Sequence, residues 1–267
     1  MRFLTPIDIM PSSVKIDYRS GILSLGSCFS QNIGRRLQRA LFQTDINPFG
    51  VLYNPASIAQ NIGLLCENRD FSEENLSKHG SLFFNFAFDT SFSAISAKQC
   101  LEKINARFTS AVKNLKSADF LLITFGTAFV FKLKRTGETV ANCHKLPAEY
   151  FVRQRLGVED IVSMFEELFS KIKTVNPHLH IVLTVSPVRH IKDGLHENNL
   201  SKSTLLLAAE RLAKGFENVS YFPAYEIVID ELRDYRFYAP DLLHPSETAV
   251  DYVWEKFAQA YFSAQTQ

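Results

Sequence analysis

The stretch GILSLGSCFSQNIGRRLQRAL, residues 21–41, decides the fold class. Its first five residues form a short apolar run typical of a buried strand, and Gly26 then permits a sharp turn. Across residues 30–41 apolar side chains return every three or four positions while arginines fill others, which is a helical pattern. The stretch therefore predicts a strand, a tight turn and a helix in immediate succession.

The alternation of apolar strand and amphipathic helix continues along the chain. The further predicted strands are residues 119–125, 128–134, 180–185 and 219–222, and the further predicted helices are residues 101–115, 158–172, 199–214 and 250–261. Buried strands that alternate with such helices are typical of a parallel sheet covered on both faces. We therefore predict an α/β fold, a three-layer α/β/α sandwich with a parallel central sheet.

Residues 43–95 follow a less regular pattern. They contain a predicted helix that starts at Asn54-Pro55 and ends near Cys66, followed by an aromatic stretch. We interpret this part as an insertion that packs over the functional site, within a single domain spanning residues 1–267.

Composition narrows the class of protein. The 267 residues are within the range of one large α/β domain, and 46% hydrophobic with 21% charged residues is typical of a soluble globule. The net charge is +1 without a basic block, which argues against a nucleic-acid partner. No apolar run reaches the ~18 residues of a membrane helix, and nothing resembles a secretory signal. The four cysteines form no CxxC pair, so we expect reduced thiols and a cytoplasmic protein.

Ligands of open α/β sheets bind beyond the carboxyl ends of the strands, where Gly26-Ser27-Cys28 follows the first strand. A residue on this turn lies beside the unpaired N–H groups and the positive end of the helix. These groups lower a thiol pKa and can donate to an oxyanion. Cys28 is therefore a candidate nucleophile, and a buried structural thiol is the alternative that position alone leaves open.

Asp241 and His244 precede the last predicted helix. Histidine suits proton transfer at neutral pH, and an Asp three residues earlier can turn back to hold one ring nitrogen. The other nitrogen would then be free to act as a base. A surface Asp and a helix-capping His are the alternative, because an isolated DxxH is a weak motif.

Two further loops carry polar side chains. Residues 142–145, Asn-Cys-His-Lys, offer an amide for an oxyanion and cationic groups for a substrate, or form a solvated loop. Together with Cys28 and His244 this loop could supply thiol and imidazole ligands to zinc, although no metal-ligand spacing is present. Arg189 and His190 follow a strand and either line the site or remain exposed. The arginines of residues 232–238 are further candidates for substrate binding.

Residues 25–30, Leu-Gly-Ser-Cys-Phe-Ser, closely resemble the signature of the GSCFA family, with Ser30 in place of the final Ala. Similar segments run over nearly the whole chain: NPFG at 47–50, YNP at 53–55, FGTA at 125–128, NCHK at 142–145, SPVR at 186–189, YFPAYE at 221–226 and DLLHP at 241–245. The GSCFA family is similar to SGNH/GDSL esterases. The resemblance implies a three-layer, flavodoxin-like α/β/α fold and hydrolysis of acyl esters.

The SGNH sequence blocks map unevenly onto this chain. The GDS block falls on residues 26–28, which puts Cys28 at the nucleophile position and makes Ser27 its rival. The DxxH block falls unchanged on Asp241 and His244. The Gly-x-Asn block falls on residues 126–128 and lacks its oxyanion Asn, a donor that can contribute about 3 kcal/mol.

Two residues are candidates for the missing part of this oxyanion site. Asn142 is the hypothetical replacement for the absent Asn, and Gly50 is the candidate counterpart of the second-block Gly. On this hypothesis the Cys28 and Gly50 amides hold the oxyanion together with Asn142, and His144 and Arg189 are the candidates for contact with the substrate.

The leading hypothesis is an acyl hydrolase or acyltransferase with a Cys28–His244–Asp241 triad, a covalent acyl-enzyme and no cofactor. Its partner would be a small acylated molecule, and the wider SGNH group suggests a saccharide. The first alternative is an inactive small-molecule or saccharide binding module, suggested by the missing Asn. The second is a metal-dependent hydrolase that uses Cys28, Cys143, His144 and His244. The acyl group, the acceptor and the oligomeric state do not follow from the sequence.

Overall fold

The computed structural model describes residues 4–266, so both ends of the predicted domain, residues 1–3 and 267, lie outside the described residues. The strands are β1 (Gly21–Gly26), β2 (Gln43–Ile46), β3 (Ser77–His79), β4 (Leu82–Phe84), β5 (Phe120–Phe125), β6 (Phe129–Leu133), β7 (Thr139–Val140), β8 (Phe151–Arg155), β9 (His180–Val185) and β10 (Val219–Tyr221). The helices are α1 (Cys28–Arg39), α2 (Pro55–Glu67), α3 (Ala97–Ser117), α4 (Val158–Val175), α5 (Leu195–Gly215), α6 (Ala224–Glu226) and α7 (Glu247–Tyr261).

Five strands form the central sheet in the spatial order β2-β1-β5-β9-β10, and each neighbouring pair is parallel. All residues of β5 are buried, as are nearly all of those in β1. Burial on both faces explains why these strands read as continuous apolar runs. The order is that of flavodoxin-like doubly wound sheets, in which ligands bind beyond the carboxyl ends of the strands.

Helices cover both faces of this sheet. α2, α3, α4 and α5 contribute to a core on one face that includes Ile104, Phe165 and Leu205. α1 and α7 cover the other face, where Phe29 and Phe257 belong to a second core. This arrangement confirms the predicted three-layer α/β/α sandwich with a parallel central sheet.

The interval 43–95 is not one insertion, which corrects the expectation from sequence. Its first strand, β2, is the edge strand of the central sheet and pairs in parallel with β1. α2 buries most of its length in the helical layer. The irregular part follows α2 and holds 3₁₀ turns and the short β3–β4 hairpin. The sequence of β2, Gln-Thr-Asp-Ile, conceals the strand because a polar edge strand has no apolar run.

A second, antiparallel sheet contains β7, β6 and β8 in that order. The strand predicted at residues 128–134 is β6, which therefore lies outside the central sheet.

After β10, α6 continues into a π-helical segment, Ile227–Leu232, that leads towards Asp241. No helix between residues 4 and 266 is long and apolar enough to cross a membrane.

Candidate active site

Cys28 is the first residue of α1 and follows the carboxyl end of β1. The turn before it requires glycine, because Gly26 has a φ of +146° and a Cβ atom there would lie 2.4 Å from the carbonyl oxygen of Thr124. Burial raises the pKa of the partly exposed Cys28 thiol, whereas the backbone amides of Phe29 and Cys28 and the charge of Lys202 lower it. The sulfur is thus within reach of N–H groups at the start of a helix, which stabilise a thiolate.

Ser27, the rival nucleophile, is fully buried at the N-cap of α1. Its Oγ has no hydrogen-bond partner among residues 4–266. It packs beside Gly126, where an added Cβ atom would lie 3.4 Å from the Cβ of Ser27. A nucleophile must be reached by its substrate, and the buried Oγ of Ser27 is less accessible than the partly exposed thiol of Cys28.

Asp241 and His244 form the hydrogen bond that their spacing suggests. Nδ1 of His244 lies 2.6 Å from Oδ2 of Asp241, and Oδ1 accepts the N–H groups of Leu243 and His244 at 3.0 Å each. The backbone N–H groups of His244 and Leu243, followed by the His244 side chain, hold the pKa of Asp241 at about 2. The carboxylate favours a proton on Nδ1, which leaves Nε2 as the acceptor. The N–H of Arg189 donates to the Leu243 carbonyl at 3.3 Å and so ties this loop to the chain beyond β9.

Tyr53 and His190 connect the surroundings of Cys28 with those of His244. The two rings meet edge to face with centroids 5.9 Å apart. Burial, and then the charge of Cys28, raise the pKa of Tyr53. Burial, followed by the charges of Lys202 and His244, lowers the pKa of His190 to about 4, so its ring is neutral at physiological pH. Within the described part of the chain, Cys28 and His244 share no hydrogen bond.

The two predicted oxyanion donors differ in their availability. The N–H of Gly50 donates to the Asn47 carbonyl at 2.9 Å, and a Cβ atom on Gly50 would overlap the Asp89 carboxylate. Because the Gly50 amide already bonds within the chain, it is not free to donate to an oxyanion, and this corrects its predicted role. Oδ1 of Asn142 accepts the N–H of His144 at 2.8 Å, while its Nδ2 donates to no partner among residues 4–266.

His144, the predicted contact for substrate, lies in an aromatic pocket. Its ring stacks on Phe84 with centroids 4.2 Å apart, and Nε2 lies 3.1 Å from the Asn85 carbonyl oxygen. The side chain is 9% exposed, and burial lowers its pKa.

The ligands that the metal-dependent alternative requires are not grouped in the described structure. Residues 4–266 bring no three His, Cys, Asp or Glu side chains into a group that could hold a metal ion.

Lys202 on α5 is a residue that the motif search does not single out. It is 1% exposed, and its Nζ donates to the carbonyl oxygens of Gly126 and Ser186 at 2.6 Å each. These carbonyls lie just beyond the carboxyl ends of β5 and β9. The available signal is spacing, because Lys202 shares the buried stripe of α5 with Asn198 and Leu205.

A cavity of about 460 Å³ adjoins the loop of Asp241 and His244. It is lined by Arg189, Ile191, Leu195, Ile229, Arg233, Asp234, Tyr235, Tyr238, Leu242 and Leu243. Arg189 and Arg233 have no carboxylate partner among the described residues, while Arg236 lies 3.5 Å from Asp234. Two unpaired guanidinium groups beside apolar walls suit an anion with an apolar body.

The family model described as the GSCFA family matches residues 21–257. This chain belongs to the GSCFA family. The Gly-Ser-Cys residues that carry the family signature form the turn between β1 and α1, at the edge of the sheet where the Asp241–His244 loop also lies. None of the curated proteins compared with the chain matches it.

Solved structures similar to this GSCFA protein include two esterases. A carbohydrate esterase family 3 from Talaromyces cellulolyticus is 7% identical with a TM-score of 0.41, and the match covers 89% of this chain and 94% of that one. An acetyl xylan esterase, Est2A, from the rumen bacterium Butyrivibrio proteoclasticus is 11% identical with a TM-score of 0.41, and the match covers 91% of this chain and 66% of that one.

Proposed function

We propose that this GSCFA protein is an acyl hydrolase or acyltransferase that forms a covalent acyl-enzyme at Cys28. The observation that carries the proposal is the 2.6 Å contact between Asp241 and Nδ1 of His244, which prepares Nε2 as a base. Cys28 supports it as a nucleophile at a helix N-terminus beyond the same edge of the sheet. The resemblance of the GSCFA family to SGNH/GDSL esterases implies the same chemistry.

The proposed reaction begins with attack of the Cys28 sulfur on the carbonyl carbon of an ester or thioester. Nε2 of His244 takes the thiol proton, and the Asp241 carboxylate stabilises the resulting imidazolium. When the tetrahedral intermediate collapses, the bond to the leaving group breaks and His244 returns the proton to that group. Water or another acceptor then attacks the acyl-enzyme, gives its proton to His244 and releases Cys28 as the thiol.

Negative charge on the carbonyl oxygen needs donors in this scheme. The backbone amide of Cys28 and the free Nδ2 of Asn142 are the groups that we assign to it, in place of the absent block Asn. The reaction also requires a hydrogen bond between Nε2 of His244 and Cys28, which the described residues do not form. Catalytic hydrogen bonds commonly tighten only when substrate is bound.

A saccharide- or small-molecule-binding module on the same fold is the second candidate. Two observations favour it: burial raises the Cys28 pKa, and Cys28 shares no hydrogen bond with His244 in the described residues. A thiol of this kind is a weak nucleophile at neutral pH. The binding module predicts that Cys28 remains unmodified by acyl donors.

Brief exposure to p-nitrophenyl acetate, followed by intact-mass analysis, tests the proposal. We expect one acetyl adduct on the wild-type protein, none on Cys28→Ala and an unchanged adduct on Cys143→Ala, which removes another partly exposed thiol. His244→Ala should slow both formation and loss of the adduct. Equal labelling of wild type and Cys28→Ala would refute Cys28 as the nucleophile, and the absence of any adduct would favour the binding module.

A further inference from the structure

Lys202 is buried and bonds to the Gly126 carbonyl, and Gly126 packs against Ser27, the residue that precedes the proposed nucleophile. Its ammonium group donates to the Gly126 and Ser186 carbonyl oxygens at 2.6 Å each, and these bonds hold it at the ends of two central strands. The preceding residue strengthens the same junction, because Oγ of Ser201 accepts the N–H of Ala128 at 2.8 Å. Side chains of α5 therefore bond to the backbone of residues 126–128, the segment in which the oxyanion Asn is missing.

The charge of Lys202 has no acidic partner. Among residues 4–266, no Asp or Glu forms an ion pair with Lys202. The ionisable groups that influence it are Cys28 on α1, and Arg189 and His190 beyond β9. Burial lowers the pKa of His190 to about 4, and neither an arginine nor a histidine side chain can carry negative charge, so among these groups only Cys28 can become negative. A cation buried without a counter-ion is unfavourable, and a nearby thiolate relieves that cost.

We propose that Lys202 is the buried counter-ion of the Cys28 thiolate. Its field, which acts through the low-dielectric junction of β1, β5 and β9, lowers the free energy of the Cys28 thiolate and so offsets part of the cost of burying that charge. Because Lys202 touches carbonyl groups and has almost no solvent-exposed surface, it is a positioning residue that acts through Cys28 and does not contact substrate. Its role in catalysis rests on the proposed acyl transfer.

The two titrations constrain where this effect is visible. Burial lowers the pKa of Lys202 to about 7, while the charge of Cys28 raises it and that of Arg189 lowers it. Lys202 is therefore charged below about pH 7 and neutral well above it. The thiolate of Cys28 gains from Lys202 in the lower range and loses this support as pH rises.

The rate of Cys28 alkylation by iodoacetamide, followed from pH 5.5 to 9.5 by peptide mass analysis, tests the inference. We compare wild type with Lys202→Gln, which keeps an N–H donor for the two carbonyls, and with Lys202→Met, which does not. At pH 6 both variants should react at least about threefold more slowly than wild type, corresponding to half a pKa unit. At pH 9 the three rates should converge, and Cys143 serves as the internal control at every pH.

The shape of the profile separates an electrostatic role from a structural one. Wild type should show an inflection near pH 7, where Lys202 loses its proton, and the inflection should vanish in Lys202→Gln. Equal rates for wild type and Lys202→Gln at pH 6 would overturn the proposal. A uniform change at every pH would also overturn it, since it would indicate altered access to Cys28.

A second measurement leaves Lys202 in place, in case its variants do not fold. Charge coupling between two groups is reciprocal, so removal of the Cys28 thiol must lower the pKa of Lys202. We expect the ¹³Cε resonance of Lys202 to titrate at a lower pH in Cys28→Ala than in wild type. An identical titration in both proteins would refute the ion pair. Neither experiment uses an acyl substrate, so the ion pair can hold where acyl transfer fails, and the reverse.

Discussion

Asp241 uses both of its carboxylate oxygens within the loop that carries His244. One oxygen accepts two backbone N–H groups, and the other holds Nδ1 of the imidazole. Leu242 adopts a left-handed conformation, with φ of +59°, that lets the chain turn back within three residues. The geometry thus fixes Nδ1 of an exposed imidazole against the Asp241 carboxylate.

Replacement of this carboxylate is the sharpest residue-level test of the proposed triad. Asp241→Asn keeps the size of the side chain but removes its charge, so the imidazolium formed during attack loses its stabilisation. We expect kcat for p-nitrophenyl acetate hydrolysis to fall by about 10²–10⁴-fold, with KM little changed. The exposed Asp230→Asn should retain wild-type kinetics. Full activity in Asp241→Asn would exclude Asp241 from the mechanism.

Spacing identified the Asp241–His244 pair from sequence because the interaction is local, spanning three residues. Lys202 and Gly50 depend on non-local partners. Nζ of Lys202 meets a carbonyl 76 residues away in the chain, and the Cβ space of Gly50 is filled by Asp89. Helical spacing in the sequence can show that Lys202 is buried, but no periodicity shows which distant residues these side chains contact. The surroundings of His144 are non-local in the same way, since its aromatic pocket is built from residues around position 84.

The turn between β1 and α1 is the element that places Cys28. Gly26 ends β1 with a backbone conformation that residues with side chains rarely adopt, and its N–H donates to Oδ1 of Asn47 at 2.9 Å. Its carbonyl oxygen receives the N–H of Leu52 at 2.9 Å. The end of β1 is thus held by packing against Thr124 of β5 and by hydrogen bonds from Gly26 to the loop that follows β2.

Gly26→Ala should destabilise the protein by about 2–5 kcal/mol, because the new Cβ atom would combine backbone strain with overlap against Thr124. Gly63→Ala is the matched control: Gly63 lies within α2, and a Cβ atom there would meet nothing within 4 Å. We expect it to be neutral or to stabilise by up to about 1 kcal/mol. Urea unfolding of both variants at one pH measures the difference. Similar stabilities would contradict the steric account.

Sequence patterns located the buried elements well and the polar ones poorly. β5 and β9 were predicted to within one residue at each end, and α3 and α4 to within four, because each presents an apolar run or stripe to a core. β2 escaped notice because it is short and polar at the edge of the sheet. β8 reads Phe-Val-Arg-Gln-Arg and pairs only with β6, so it too lacks the pattern of a buried strand.

At the scale of the whole molecule, the sheet brings together residues that are far apart in the chain. Cys28 follows the first strand, Lys202 lies on α5, and Asp241 and His244 precede α7. The parallel arrangement makes this possible, since every strand of the central sheet ends at one edge. Strand order therefore determines which loops meet at this edge of the sheet, while the chemistry that is possible there depends on the side chains that those loops supply.

The cavity beside His244 extends this reasoning to substrate choice, because its walls come from the loop after β9, the start of α5 and the connection after α6. Arg189 and Arg233 line it and form no ion pair with any carboxylate that the structure describes. If the acyl chain enters this cavity, an ester with a terminal carboxylate should bind better than its neutral analogue. We expect Arg189→Gln to raise KM for mono-p-nitrophenyl succinate by about tenfold, equivalent to about 1.4 kcal/mol, with kcat little changed.

The neutral analogue p-nitrophenyl butyrate should show no such rise in KM, because it has no charge for Arg189 to bind. Arg236→Gln is the matched control, since Arg236 pairs with Asp234 and does not line the cavity. A parallel rise in KM for both esters would indicate that Arg189 shapes the cavity without recognising charge. An unchanged KM for the succinate ester in Arg189→Gln and in Arg233→Gln would place the acyl chain elsewhere. Comparison of the succinate ester with the butyrate ester therefore distinguishes electrostatic recognition at this cavity from simple apolar packing.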